Sequence, residues 1–281
     1  MLLIMRFFLL LVLALLPLYR YWSSHPATRH PADAVAAYDL QHPVARYPMP
    51  PALREVSGVV VLPQHRLACM EDQTGTIYLY SATTQRVEET IAFGPKGDYE
   101  DLARVGNTWF VLRSDGVLFK RLGTQTTTYD TGLTRDNNPE GLAYEPATKS
   151  LLVACKGAAG VGGPDQYRAV YRLDPTTFRR ALKPAYLLDV AALRARNPAV
   201  NRFAPSGIAV HPTTGHVFVT AASGNALAEL DASGGLVRLD KLPRDLFPQP
   251  EGLTFAPNGD LYIASEAGST DTGTVQVFRA R

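Results

Sequence analysis

One motif recurs five times along the chain, and that recurrence limits the fold more than any other property of the sequence. The copies are Glu55-Val56-Ser57-Gly58-Val59, Asp98-Tyr99-Glu100-Asp101-Leu102, Asn138-Pro139-Glu140-Gly141-Leu142, Ala204-Pro205-Ser206-Gly207-Ile208 and Gln249-Pro250-Glu251-Gly252-Leu253. Their third members stand at 57, 100, 140, 206 and 251, giving intervals of 43, 40, 66 and 45 residues. A period of about 40 to 45 residues is that of a four-stranded propeller blade.

Each copy continues in the same way. A short strand leads to a turn such as His211-Pro212-Thr213-Thr214-Gly215 or Ala256-Pro257-Asn258-Gly259, where Gly accepts the positive φ of a tight hairpin. Strongly apolar second strands follow, such as Leu151–Cys155 and Val217–Thr220, as expected of strands covered on both faces. Third strands come next, and then more polar fourth strands such as Val87–Ala92 and Ala185–Val190, which belong on the outside. The expected fold is therefore all-β, a five-bladed β-propeller preceded by an N-terminal hydrophobic helix.

The last blade reaches Arg281 after only three strands. A strand from near the N-terminus, expected at Val35–Leu40, would complete it and leave no open edge. The long third interval has room for a short helix within Val190–Asn201, ending before Pro198. A six-bladed ring is the alternative, although no sixth copy of the motif is present.

Residues 1–22 contain an unbroken apolar run from Phe7 to Leu16, two arginines and no acid. This is the pattern of a membrane anchor or a signal segment. Residues 23–34, rich in Pro, Ser and His, read as a linker, and residues 35–281 as the propeller domain. The expected location is the bacterial cell envelope, with the propeller exported to the periplasm and tethered to the inner membrane; secretion after signal cleavage is the alternative. Beyond residue 22 the chain has 26 Lys and Arg against 26 Asp and Glu, a balance that does not favour nucleic acid.

These motifs, with the N-terminal hydrophobic segment and Asp260-Leu261-Tyr262-Ile263-Ala264-Ser265-Glu266, resemble the SdiA-regulated, YjiK-like family of bacterial β-propeller proteins. The resemblance extends over roughly residues 35–281. It implies an envelope-associated propeller, a link to calcium responses and a likeness to phytase-like propellers, but no established reaction. Ser57 and Ser206 stand where other copies have Glu, which excludes a ring of five carboxylates.

In a propeller, equivalent positions of the innermost strands converge on the axis. Ser57, Glu100, Glu140, Ser206 and Glu251 would form one ring there, and Glu55, Asp98, Asn138, Ala204 and Gln249 a second, two residues earlier. Crowded carboxylates need protons, separation or a cation, and hard oxygen donors suit Ca²⁺. The candidate metal ligands are therefore Glu100, Glu140, Glu251, Ser57, Ser206, Glu55, Asp98 and Asn138. The competing structural role has the three glutamates accepting backbone N–H groups of the next blade, locking the ring.

Other features carry less. Glu71, Asp72, Asp115 and Glu266 follow second strands and are expected to be turn formers at the far end from the motif. Asp136–Gly141 opens like a calcium loop, but Ala147 stands where a bidentate Glu is required. The glycine-rich stretch Gly157–Gly163 lacks the ending of a phosphate loop. Cys69 and Cys155 fall in non-neighbouring blades and are expected as free buried thiols, and His211 and His216 as polar surface residues. The leading functional expectation is a binder of a divalent cation or small envelope ligand. A metal-dependent phytase-like or lactonase-like hydrolase and a protein-interaction scaffold are the alternatives.

Overall fold

A computed structural model describes residues 38–163 and 165–280. The segments 1–22 and 23–34, and the expected N-terminal helix, lie outside the described residues. Among the described residues no helix is long and apolar enough to cross a membrane.

The domain is built from five four-stranded antiparallel sheets. Blade one comprises β2 (Val56–Leu62), β3 (Arg66–Glu71), β4 (Thr76–Ser81) and β5 (Arg86–Ala92). Blade two comprises β6 (Tyr99–Val105), β7 (Thr108–Arg113), β8 (Val117–Leu122) and β9 (Gln125–Asp130). Blade three comprises β10 (Pro139–Glu145), β11 (Ser150–Cys155), β12 (Tyr167–Leu173) and β13 (Tyr186–Asp189). Blade four comprises β14 (Ala204–Val210), β15 (Val217–Ser223), β16 (Ala226–Leu230) and β17 (Leu236–Lys241). Blade five comprises β18 (Gln249–Phe255), β19 (Leu261–Glu266) and β20 (Thr274–Phe278), with β1 (Ala45–Pro48) as its outermost strand. The inner strands β2, β6, β10, β14 and β18 touch in that order, and β18 returns to β2, which closes a five-membered ring and excludes the sixth blade.

Closure by an N-terminal strand is present, but its residues differ from the expected ones. β1 pairs with β20 in the register Ala45↔Val277 to Pro48↔Thr274. Of Val35–Leu40, the part from Tyr38 is described and is not a strand. Tyr38 and Leu40 are buried instead by packing with Phe218, Phe247 and Phe278 at the junction of blades four and five, and the Tyr38 hydroxyl donates to the Gly259 carbonyl at 2.7 Å. Their apolar character comes from this packing and not from sheet pairing.

The core consists of five apolar clusters, one at each blade-to-blade interface. This is why the second strands are apolar on both faces, whereas β5 and β9 are largely exposed. The expected helix forms as α1 (Val190–Arg196); the Asp189 side chain caps it by accepting from the N–H groups of Ala191 and Ala192. Cys69 and Cys155 are free, buried and in different interface clusters. Burial pushes the Cys69 thiol up to about 12.

His211 and His216 depart from expectation, since both are buried. His216 Nδ1 lies 2.8 Å from Glu229 Oε1, a partner on the adjacent strand that lets the imidazole leave the surface.

Candidate functional site: an acidic channel mouth

The third residue of every motif copy sits at a break in strand register. Val56 pairs Glu71 and Gly58 pairs Met70, so Ser57 is passed over. Glu100, Glu140 and Ser206 are skipped in the same way, and Glu251 falls in the irregularity between Pro250 and Leu253. A bulge re-aims a side chain out of the ladder. Five bulges at equivalent positions therefore set Ser57, Glu100, Glu140, Ser206 and Glu251 apart from the pleat.

The glycine that follows permits close approach. A Cβ on Gly252 would stand 2.6 Å from the Ser57 carbonyl oxygen and 2.8 Å from the Gly58 Cα. Blade two has Asp101 in place of this glycine, and its carboxylate is fully buried. One oxygen accepts from its neighbour Leu102 N–H and the other from Leu142 N–H in blade three, both at 2.8 Å. Burial pushes the Asp101 carboxyl up, and those two N–H groups counter it.

Blade locking thus exists, but not where the glutamates were expected to supply it. Asp101 ties blade two to blade three. Ser206 donates to the Pro250 carbonyl at 2.7 Å and Thr220 to the Glu251 carbonyl at 2.6 Å, tying blade four to blade five. Glu140 and Glu251 are bonded by side chains. Asn138 Nδ2 donates to Glu140 at 2.8 Å, and Gln249 Nε2 donates to Glu251 at 3.0 Å and to Glu266 at 2.5 Å.

A third ring was missed in the sequence. Because the first hairpin of each blade is antiparallel, the end of its second strand lies beside the start of its first, as in Val56↔Glu71 and Gln249↔Glu266. The residues there, Asp72, Ser114, Lys156, Ala222 and Glu266, are thus at the motif end and not at the far end. Glu71 and Asp115 are turn formers as expected: Glu71 accepts from Gln73 and Thr74 N–H, and Asp115 from Val117 N–H. Glu266 instead joins the mouth, and Asp98 accepts from the Ser114 hydroxyl at 2.5 Å.

Lys156 supplies the base of this ring, with its ammonium 3.1 Å from Glu140 Oε1. Burial pulls the ammonium down, but Glu140, Glu251 and Glu100 outweigh it and hold it up. The carboxyls move the other way. Burial, with Glu140 and Asp98 nearby, pushes Glu100 up to about 9. Burial and a hydrogen bond with Glu55 push Glu266 up to about 8. Glu251 is driven well up by burial and by Glu266 and Glu140, and burial also raises Glu140, with Lys156 opposing it.

Blade four alone brings no charge to the mouth, offering Ala204, Ser206 and Ala222. The Ser57 hydroxyl is buried with no hydrogen-bond partner among the described residues, as is Asp72 Oδ1. The donor chemistry suits a hard cation. The arrangement is not a closed cage, however: among the described residues no three His, Cys, Asp or Glu side chains are grouped to hold one metal ion.

Fold and mouth together define a five-bladed β-propeller with an acidic, single-lysine channel opening. The chain belongs to the SdiA-regulated family, whose model matches residues 119–268. No curated protein matches it. Among solved structures it is similar to a glutaminyl cyclase from Myxococcus xanthus, with 16% identity, a TM-score of 0.58, and coverage of 85% of this chain and 95% of that one. It is also similar to the PQQ-bound aldose sugar dehydrogenase from Streptomyces coelicolor, with 12% identity, a TM-score of 0.52, and coverage of 84% and 97%. The WD40 propeller domain of Doa1 aligns at 11% identity with a TM-score of 0.50, over 88% and 98% of the two chains. At these identities the likeness is one of fold.

Proposed function

We propose that this protein is an exported, membrane-tethered propeller that binds a cation at its channel mouth, with calcium the ion best suited to its oxygen donors. The observation that carries the reading is the gathering of Glu100, Glu140, Glu251 and Glu266 around one lysine, with Glu100 and Glu266 pushed up to about 9 and about 8 and Glu251 and Glu140 also raised. The Ser57 hydroxyl and Asp72 Oδ1 add oxygen atoms without protein partners. Since the described residues hold no ready-made cage, binding would draw carboxylates inward and expel protons.

Calcium titration of the purified protein by calorimetry tests this. Saturable binding should strengthen between pH 6 and 9 as Glu266 and Glu100 lose their protons. E140Q and E251Q should each weaken it tenfold or more. Failure of the parent to bind, or binding indifferent to both substitutions, rejects the reading. A second reading, a hydrolase, draws on the same protonated carboxyls as acid groups. Assays of phosphoester and lactone hydrolysis with and without EDTA separate it from simple binding.

A further inference from the structure

We propose that a pocket beside blade four is a second binding site, for a soluble phosphate-bearing molecule. The pocket, about 430 Å³, is lined by Arg168 of β12, Arg194 of α1 and Arg202 of the loop before β14, with Phe203 and Ser223. Among the described residues on its wall Asp165 is the one acid, and with Arg168 committed to it the guanidiniums of Arg194 and Arg202 leave a formal excess that matches a dianion. Arg168 is largely buried and engaged: it donates to Asp165 at 3.0 Å and to the Tyr167 carbonyl at 3.2 Å.

The other two forks have capacity to bind. Arg194 uses one Nη on the Asn201 carbonyl at 2.9 Å. The exposed Arg202 guanidinium has no hydrogen-bond or ion-pair partner among the described residues. Planar guanidinium forks match phosphate oxygens in geometry as well as charge.

A larger basic hollow, about 580 Å³ on blade three, holds Lys183, but its arginine forks are already engaged. There Arg172 is bidentate to Glu145 at 2.7 and 2.8 Å, Arg179 pairs with Asp130 at 3.1 Å, and Arg180 donates to the Gly132 and Ala181 carbonyls. In the smaller pocket the arginines come from a strand, a helix and a loop, so no run of charge in the sequence marks them. Ala204, the blade-four member of the outer ring, also lines it, which sets the site against the uncharged sector of the mouth.

The test is titration of the full chain with inorganic phosphate by calorimetry at low ionic strength, alongside R194Q, R202Q and R179Q. The parent and R179Q should bind one phosphate saturably, and R194Q and R202Q at least tenfold more weakly. Arg202 is exposed, so R202Q should melt with the parent and decides the matter if R194Q loosens its helix. No saturable binding by the parent, or equal affinity in R202Q, overturns the proposal.

Discussion

Asp101 shows how much one position can hold. Its two oxygens satisfy two backbone N–H groups in different blades, so D101A would leave both buried donors without acceptors. The expected cost is on the order of 2–4 kcal/mol in urea unfolding. Asn at the same position keeps one acceptor and should fall between the two. G252A should cost about 1–3 kcal/mol, since its Cβ would meet the backbone of Ser57 and Gly58. The motif residues were legible because a bulge followed by glycine leaves a fixed pattern in four of the five repeats. Lys156 was not legible, because its place in the mouth depends on which strand end an antiparallel hairpin folds back beside the motif. The copy at Asp98-Tyr99-Glu100-Asp101 also hid its meaning: an aspartate in the glycine position looks like degeneracy until Leu142 N–H is seen to need an acceptor.

Among elements, the closing strand separates topology from residue choice. Counting three strands after the last motif was enough to require a partner from the other end of the chain. The partner expected was Val35–Leu40, whereas the strand that forms is Ala45–Pro48, which holds an arginine and a proline. An outermost strand tolerates both, because its far edge makes no ladder bonds and one of its faces meets water. Its burial alternates residue by residue, whereas Tyr38 and Leu40 are buried through ring and aliphatic contacts. A variant lacking the chain through Pro48 should melt well below the parent and self-associate through the uncovered edge of β20, as read by light scattering during a thermal ramp.

For the molecule as a whole, the mouth sets the response to pH. Glu100 and Glu266 have folded-state values of about 9 and about 8, above the ordinary 4.5, so the native state binds more protons than the unfolded chain between these limits. Their contribution to stability is full below about pH 4.5 and is lost as pH rises towards 8 and 9. Asp115 and Asp231 act oppositely. Arg113 leads in holding Asp115 down; for Asp231, burial is outweighed by the Ser233 hydroxyl and the Gly235 and Ser233 N–H groups, and that stability is lost on acidification. Urea midpoints should therefore decline from pH 5 to pH 9, and E100Q should flatten the decline; a rising profile would contradict the buried mouth. The alignment of Ala45 with Val277, continued by the bond from Val44 N–H to the Val277 carbonyl at 2.8 Å, has a different consequence. β20 and β1 form an antiparallel pair with no covalent connection among the described residues, so a linker joining their facing ends and new termini between two other blades should yield a circular permutant that keeps the closed ring.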